Sequence, residues 1–448
     1  MNKCLQQNPK RLCYNELGGS MLKKYKHFIF LFIFFIVTFI TMFFCKIDSD
    51  LMWNFGYSYN TANGMMMYKD FNMVISPLYP TLTGLFMKLF GSNMIVFYLI
   101  NAFYATLVAY FSYKINPKAW LFTIPFILFS CLANYNTLCI LFCLFLIYLE
   151  NKKANDYYLG FCLGLAFLTK INIGLLLCIP TLYYFKDFKK IGKRIVGFLI
   201  PNILVIIFFL FTNNLYNYID YVFLGILDFA GNNLQLSYFI AIIPFILLYL
   251  GYLLFKEKNI SYFYAIMFLG LIYPVMNELH VMMAIIPSLI LITKKHSLYL
   301  EKISFIGLVF MIFPLIGLYL DNKNQVFKYD DNIFKYRYIQ SEYIENRDVL
   351  KRHFDNNFEN VCLILYDNYI YKFLLDLPIN KYDVLLYGNM GYNGTQKIID
   401  YLDSLKKDTY FVLETTINGA QYNMEVVKYI QQNYDLKTLL GNFYIYQK

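Results

Sequence analysis

The run from Phe28 to Cys45, FIFLFIFFIVTFITMFFC, holds eighteen residues without a charge, and Asp48 to Pro80, DSDLMWNFGYSYNTANGMMMYKDFNMVISPLYP, follows it almost at once. About 20 apolar residues cross a bilayer as a helix, so the first stretch reads as a membrane span and the second as the loop that it delivers. Lysines precede the span, as they would a signal peptide. No small-residue cleavage site follows, however, and many more apolar runs do, so it reads as an anchor. In the loop, Asp50, Trp53, Asn54 and Tyr57 share one face if a helix starts there. Gly64 interrupts it. Ser76-Pro77 can open a further helix, because proline suits a first turn. The loop, 46–91, is the expected active site.

Composition agrees with a membrane protein. The chain has 448 residues, 59% hydrophobic and 15% charged, with mean hydropathy +0.46. The net charge of +10 comes from lysines between apolar runs, not from a nucleic-acid footprint, and no nucleic-acid partner is expected. Cys131, Cys139, Cys143, Cys162 and Cys178 lie inside apolar runs as small hydrophobes. Cys362 stands alone in the polar tail, so no disulfide is expected there.

Further apolar runs are 92–113, 119–149, 157–185, 195–211, 237–255, 261–274, 281–293 and 303–320. The second is too long for one span and should break at Asn134-Tyr135-Asn136. The third should divide at Lys170. That makes eleven spans, with 77–91 as a helix lying at the interface. With the N-terminus inside, the inner segments carry 20 lysines and arginines and the outer loops four, the positive-inside pattern. Asp48, Asp50, Asp70, Asn134, Asn136, Lys170, Glu278 and His280 then all fall at the outer face. From Asp321 charges become frequent. Segments 360–366, 382–387 and 409–414 read as strands, 394–405 and 422–433 as helices, and 330–355 as a helical connector. The expectation is therefore a polytopic α-helical membrane protein: a basic cytoplasmic N-terminus (1–27), a membrane domain (28–320), and an extracytoplasmic α/β domain (321–448).

Each polar group also has a plainer reading. An acid beyond a span is often a solvated cap, Lys170 could snorkel to headgroups, and an isolated histidine is more often structural than a ligand. Asp48, Asp50, Glu278 and His280 could hold a divalent cation, but their spacing specifies none.

Three motifs carry a resemblance. An acid pair after the first span is followed by Trp53-Asn54, by Gly64 with Tyr68-Lys69-Asp70-Phe71-Asn72-Met73, and by Ser76-Pro77-Leu78-Tyr79. Gly160, Gly164 and Leu165 to Lys170 form the second motif. The third is Tyr273-Pro274 with Glu278-Leu279-His280, Ala284 and Pro287. In order and spacing, residues 28–320 resemble the GT-C superfamily, which includes protein O-mannosyltransferases and aminoarabinose transferases. The resemblance implies a GT-C-like fold and an inverting glycosyltransferase that moves a sugar from a polyprenyl-phosphate donor to a glycan, lipid or protein acceptor of the cell envelope. The first-loop acid would be the base, Asp50 in preference to Asp48. Lys170, His280, Glu278, Tyr68, Asp70 and Asn136 would serve the donor phosphate and sugar. Metal dependence varies in the family and stays open. The rival class is a transporter or flippase of lipid-linked sugar, which interrupted helices would also suit.

Overall fold

The computed structural model describes residues 27–43, 47–117, 133–232, 235–236, 238–295, 325–328, 333–416 and 422–448. Among these, the helices Met94–Ile115, Phe188–Phe211 and Ile240–Glu257 are long and apolar enough to cross a membrane. Shorter apolar helices cover His27–Phe43, Asn136–Asn151, Asp156–Thr169, Ile171–Tyr184 and Ile260–Ile272. The Phe188–Phe211 helix turns Ile195, Leu199, Ile203, Leu204 and Leu210 outward. Such an apolar outer surface suits lipid and marks a membrane location. The expected spans at 119–132 and 303–320 lie outside the described residues.

Both expected breaks among the spans are present. Lys170 is extended (φ −155°, ψ 111°) between the helices Asp156–Thr169 and Ile171–Cys178, and residues 133–135 turn into the helix that begins at Asn136. The Asp156–Thr169 and Phe188–Phe211 helices pack at glycines. A Cβ on Gly160 would fall well inside van der Waals contact of the Arg194 carbonyl oxygen, and one on Gly164 would lie 2.6 Å from Pro201 Cγ. Small residues of this kind let membrane helices approach closely. The expected interfacial helix runs from Leu78 to Phe90.

The tail is partly as expected. Strands Val361–Ile364 and Tyr410–Glu414 pair in parallel, and Phe443–Gln447 and Asp435–Leu440 extend the sheet antiparallel. Helices Gly394–Ser404 and Met424–Asn433 pack around it. Three details depart from expectation. Residues 382–387 form no strand, because Val384 spends its backbone groups on Asn72: its carbonyl accepts from Asn72 Nδ2, and its N–H donates to Asn72 Oδ1 at 3.3 Å. Among its described residues the connector is helical only over Ser341–His353; Arg337–Gln340 is a strand paired with Gln325–Lys328. The terminal hairpin went unanticipated, although Gly441 (φ +58°) and Asn442 between two apolar runs are a hairpin signal.

The tail is not a separate body. Phe55 packs edge-on against Phe373 at 5.3 Å, and Tyr57 against Tyr369 at 6.1 Å. Asn60 Nδ2 donates to Tyr369 Oη at 3.2 Å, and Gln340 Nε2 to the Ile47 carbonyl at 2.7 Å. One apolar core runs from the membrane helices through the first loop into the tail.

Candidate active site

The loop helix Ser49–Ala62 begins at Asp48, whose carboxylate accepts from the Leu51 N–H at 2.8 Å. Asp48 is thus the N-cap, satisfying a donor that the helix cannot satisfy itself. From this start the helix turns Asp50, Trp53, Asn54 and Tyr57 into a cavity of about 330 Å³. Asn134, Tyr135 and Asn136 form a second wall, Asn277 and His280 a third, and Tyr366, Leu386 and Asn389 of the tail a fourth. Asn54 fixes the geometry. Its Nδ2 donates to the Asp50 carbonyl at 2.7 Å, and its Oδ1 accepts from the Tyr135 N–H at 3.3 Å.

A second cavity, of about 350 Å³, adjoins the first. Lys170, Asn172, Val222, Ile226 and Leu227 line it, and Tyr135, Val275 and His280 line both. Lys170 turns inward, toward the first cavity's wall. Its Nζ donates to Asn136 Oδ1 at 3.1 Å and lies 5.3 Å from the centre of the Tyr135 ring. His280 Nδ1 is 2.8 Å from Asn277 Oδ1, which also accepts the His280 N–H at 3.0 Å. This pairing fixes the ring against the cavity wall.

Electrostatics single out Asp50. Its carboxyl is open to the cavity yet recessed in protein, and this burial pushes its pKa up to about 6. The neighbouring charge of Asp48 adds to the rise, and Lys170 opposes it. A carboxylate titrating there is ionised at neutral pH and basic enough to take a proton. Asp48 is also raised by burial, with its bond to Leu51 pulling the other way.

Other expected site residues lie elsewhere. Tyr68 is fully buried, its hydroxyl donating to the Ile75 carbonyl at 2.8 Å. Asp70 accepts from the Met66 N–H at 2.7 Å and so closes a turn. Neither lines either cavity; both shape the loop. Glu278 opens the helix Glu278–Lys295, just after the short strand Val275–Met276. Two helical positions are about 200° apart around the axis, so Glu278 and His280 face apart, and only His280 lines the cavities. Among the described residues no three His, Cys, Asp or Glu side chains converge to hold a metal ion. Tyr366, Asn389 and Asn277 were not singled out from the sequence. The first two reach the cavity only because the tail folds back over the loop.

Comparison with solved structures addresses the fold. ArnT from Cupriavidus metallidurans, solved bound to undecaprenyl phosphate, superimposes with a TM-score of 0.57 at 10% identity, covering 94% of this chain and 98% of that one. The chain shares the overall fold of ArnT. The oligosaccharyltransferase of Archaeoglobus fulgidus, solved with a tethered acceptor peptide, aligns at 9% identity over 88% of this chain and 70% of that one, with a TM-score of 0.47. No protein-family model matches the chain, and no curated protein matches it.

Proposed function

We propose that this protein is an inverting glycosyltransferase that moves a hexosyl or pentosyl group from a polyprenyl-phosphate donor to a hydroxyl of a cell-envelope acceptor. One observation carries the reading: within an ArnT fold, Asp50 and Lys170 face two adjoining cavities across a shared wall of Tyr135 and His280. The first cavity, under the tail, suits a polar acceptor. The second, largely apolar, suits the phosphate end of a lipid, as ArnT's bound undecaprenyl phosphate suggests by analogy.

In the proposed reaction the acceptor hydroxyl enters beside Asp50. As its oxygen attacks the anomeric carbon from the face opposite the phosphate, Asp50 takes the proton. The bond between the anomeric carbon and the phosphate oxygen breaks, and its electron pair leaves with the polyprenyl phosphate. Lys170 offsets the charge that grows there. The chain crosses the membrane several times, with its N-terminus cytoplasmic and the Asp50 cavity and tail outside, as its lysine distribution supports.

The test is transfer of labelled sugar from a polyprenyl-phosphate donor to a cell-envelope extract by the purified protein. Asp50→Asn should lose transfer while remaining folded and inserted. Wild-type rates in Asp50→Asn, Asp48→Asn and the double variant would overturn the reading.

A further inference from the structure

The Asn136–Asn151 and Asp156–Thr169 helices both touch the Asp50 cavities at one end, through Asn136 and Lys170. At their other ends, about 20 Å away at 1.5 Å per residue, lies a separate cavity of about 470 Å³. Four cations line it, Lys153, Lys190, Arg194 and Lys258, against two acids, Glu150 and Asp156.

Arg194 is the key to this cavity, being only 1% exposed. Its Nε donates to Asp156 Oδ1 at 2.8 Å, and its Nη1 to Glu150 Oε1 at 2.7 Å and to Tyr264 Oη at 3.2 Å. Its Nη2 is buried and has no hydrogen-bond partner. A guanidinium presents five N–H donors in a rigid fork, and leaving buried ones unpaired is costly. The acids do not fill this vacancy, because they are already engaged. Glu150 Oε1 also accepts from Tyr264 at 3.2 Å, and its Oε2 from Tyr184 at 3.3 Å. The carboxylates orient the fork; what remains unmet is donor capacity and positive charge. Lys190 Nζ stands 3.8 Å from the centre of the Tyr184 ring, and the Arg194 guanidinium 4.7 Å from that same centre. Leu159 and Ile260 add an apolar side.

We propose that this cavity binds an anionic phosphate group, carried by a lipid headgroup or present as free phosphate, with Arg194 Nη2 and Lys190 as its donors. A forked guanidinium suits phosphate oxygens. A site at span ends lies level with headgroups, and Leu159 and Ile260 would meet the start of an acyl chain. This proposal is independent of the transfer reaction.

Native mass spectrometry of the purified full chain tests it, with phosphatidylglycerol, phosphatidylcholine and inorganic phosphate as probes. The comparison variant is Lys190→Gln with Lys258→Gln, which leaves Arg194 and its acids untouched. Wild type should retain phosphatidylglycerol over phosphatidylcholine, and the variant should hold it about tenfold more weakly, as expected for lost charge-assisted contacts. Resistance of the retained lipid to millimolar inorganic phosphate assigns the site to the headgroup; displacement assigns it to free phosphate. Equal retention by wild type and variant, or equal retention of the two lipids, overturns the proposal.

Discussion

Lys170 Nζ donates a 3.1 Å hydrogen bond to Asn136 Oδ1, joining the two points at which long apolar runs break. The extended residue at one break and the first helical residue at the other are thereby tied across the bundle. Among the described residues no carboxylate lies within ion-pair distance of Lys170, whose hydrogen-bond partner is a neutral amide. In the proposed reaction this recessed cation, held by an amide, would meet the anionic donor, at a position where an unmatched charge is costly.

Lys170→Ala should weaken donor binding about 10- to 100-fold, the scale of a lost hydrogen bond to a charged group. Lys170→Arg should restore part of it, and Lys170→Gln should not. Asn136→Ala should show a smaller loss by freeing the ammonium. Titration with a polyprenyl-phosphate sugar reads these affinities. Equal values across the lysine variants and wild type would remove Lys170 from the site.

The pH profile should report Asp50. Its carboxyl is raised to about 6, so it is protonated below that value and cannot accept a proton there. The transfer rate should therefore rise with pH through about 6 and level off above it. Asp50→Asn should lower the rate roughly 10²- to 10⁴-fold, the usual share of a general base, and should abolish that limb. Asp48→Asn retains capping ability but loses the charge that helps raise Asp50. Its limb should move to lower pH, with a modest change in rate. An Asp48→Asn loss as large as that of Asp50→Asn would reverse the roles.

The helical face Asp50, Trp53, Asn54 and Tyr57 was legible because it depends only on local periodicity, and all four residues line the cavity. The two interrupted runs were legible for a similar reason, since polar residues inside long apolar segments must go somewhere. Tyr68 and Asp70 misled because a polar residue in a loop looks the same whether it serves a ligand or its own backbone; Asp70 closes the Met66 turn. The tail's share of the site was not legible at all. Tyr366 and Asn389 lie more than 300 positions from Asp50, and no local pattern shows that Asn389 Oδ1 accepts from the Val74 N–H at 2.6 Å.

Tyr366 meets Trp53 edge-on at 5.8 Å at the wall between loop and tail. If the acceptor lies under the tail, Tyr366→Ala should raise the acceptor KM several-fold, the cost of one lost aromatic contact of about 1 kcal/mol, and leave donor affinity unchanged. Steady-state kinetics with each substrate varied in turn separates the two. A selective loss of donor affinity would place the donor under the tail instead.

The close packing at Gly160 should be intolerant of any side chain. Gly160→Ala forces the Asp156–Thr169 and Phe188–Phe211 helices apart at Arg194. The expected destabilisation is about 1–3 kcal/mol, typical of overpacking, and is read as a lower thermal midpoint in detergent. Gly192, with nothing near its Cβ position, is the control, and Gly192→Ala should leave the midpoint unchanged or raise it slightly.

The lysine asymmetry predicts the topology. Single cysteines in a cysteine-free background test it by labelling with a membrane-impermeant maleimide in intact cells. Lys406 is 67% exposed on the tail and is a fair reporter, whereas Asp220 is buried against Lys397 and is not. Lys406→Cys should label in intact cells. Lys152→Cys and Lys256→Cys, on the opposite side, should label only after the membrane is opened. A shielded Lys406→Cys alongside a labelled Lys152→Cys would invert the protein. The Asp50 cavity would then face the cytoplasm, and the acceptor would have to be sought there. Shielding of all three in intact cells would mean an even number of spans between 256 and the tail, so that one of the runs at 261–274, 281–293 and 303–320 does not cross.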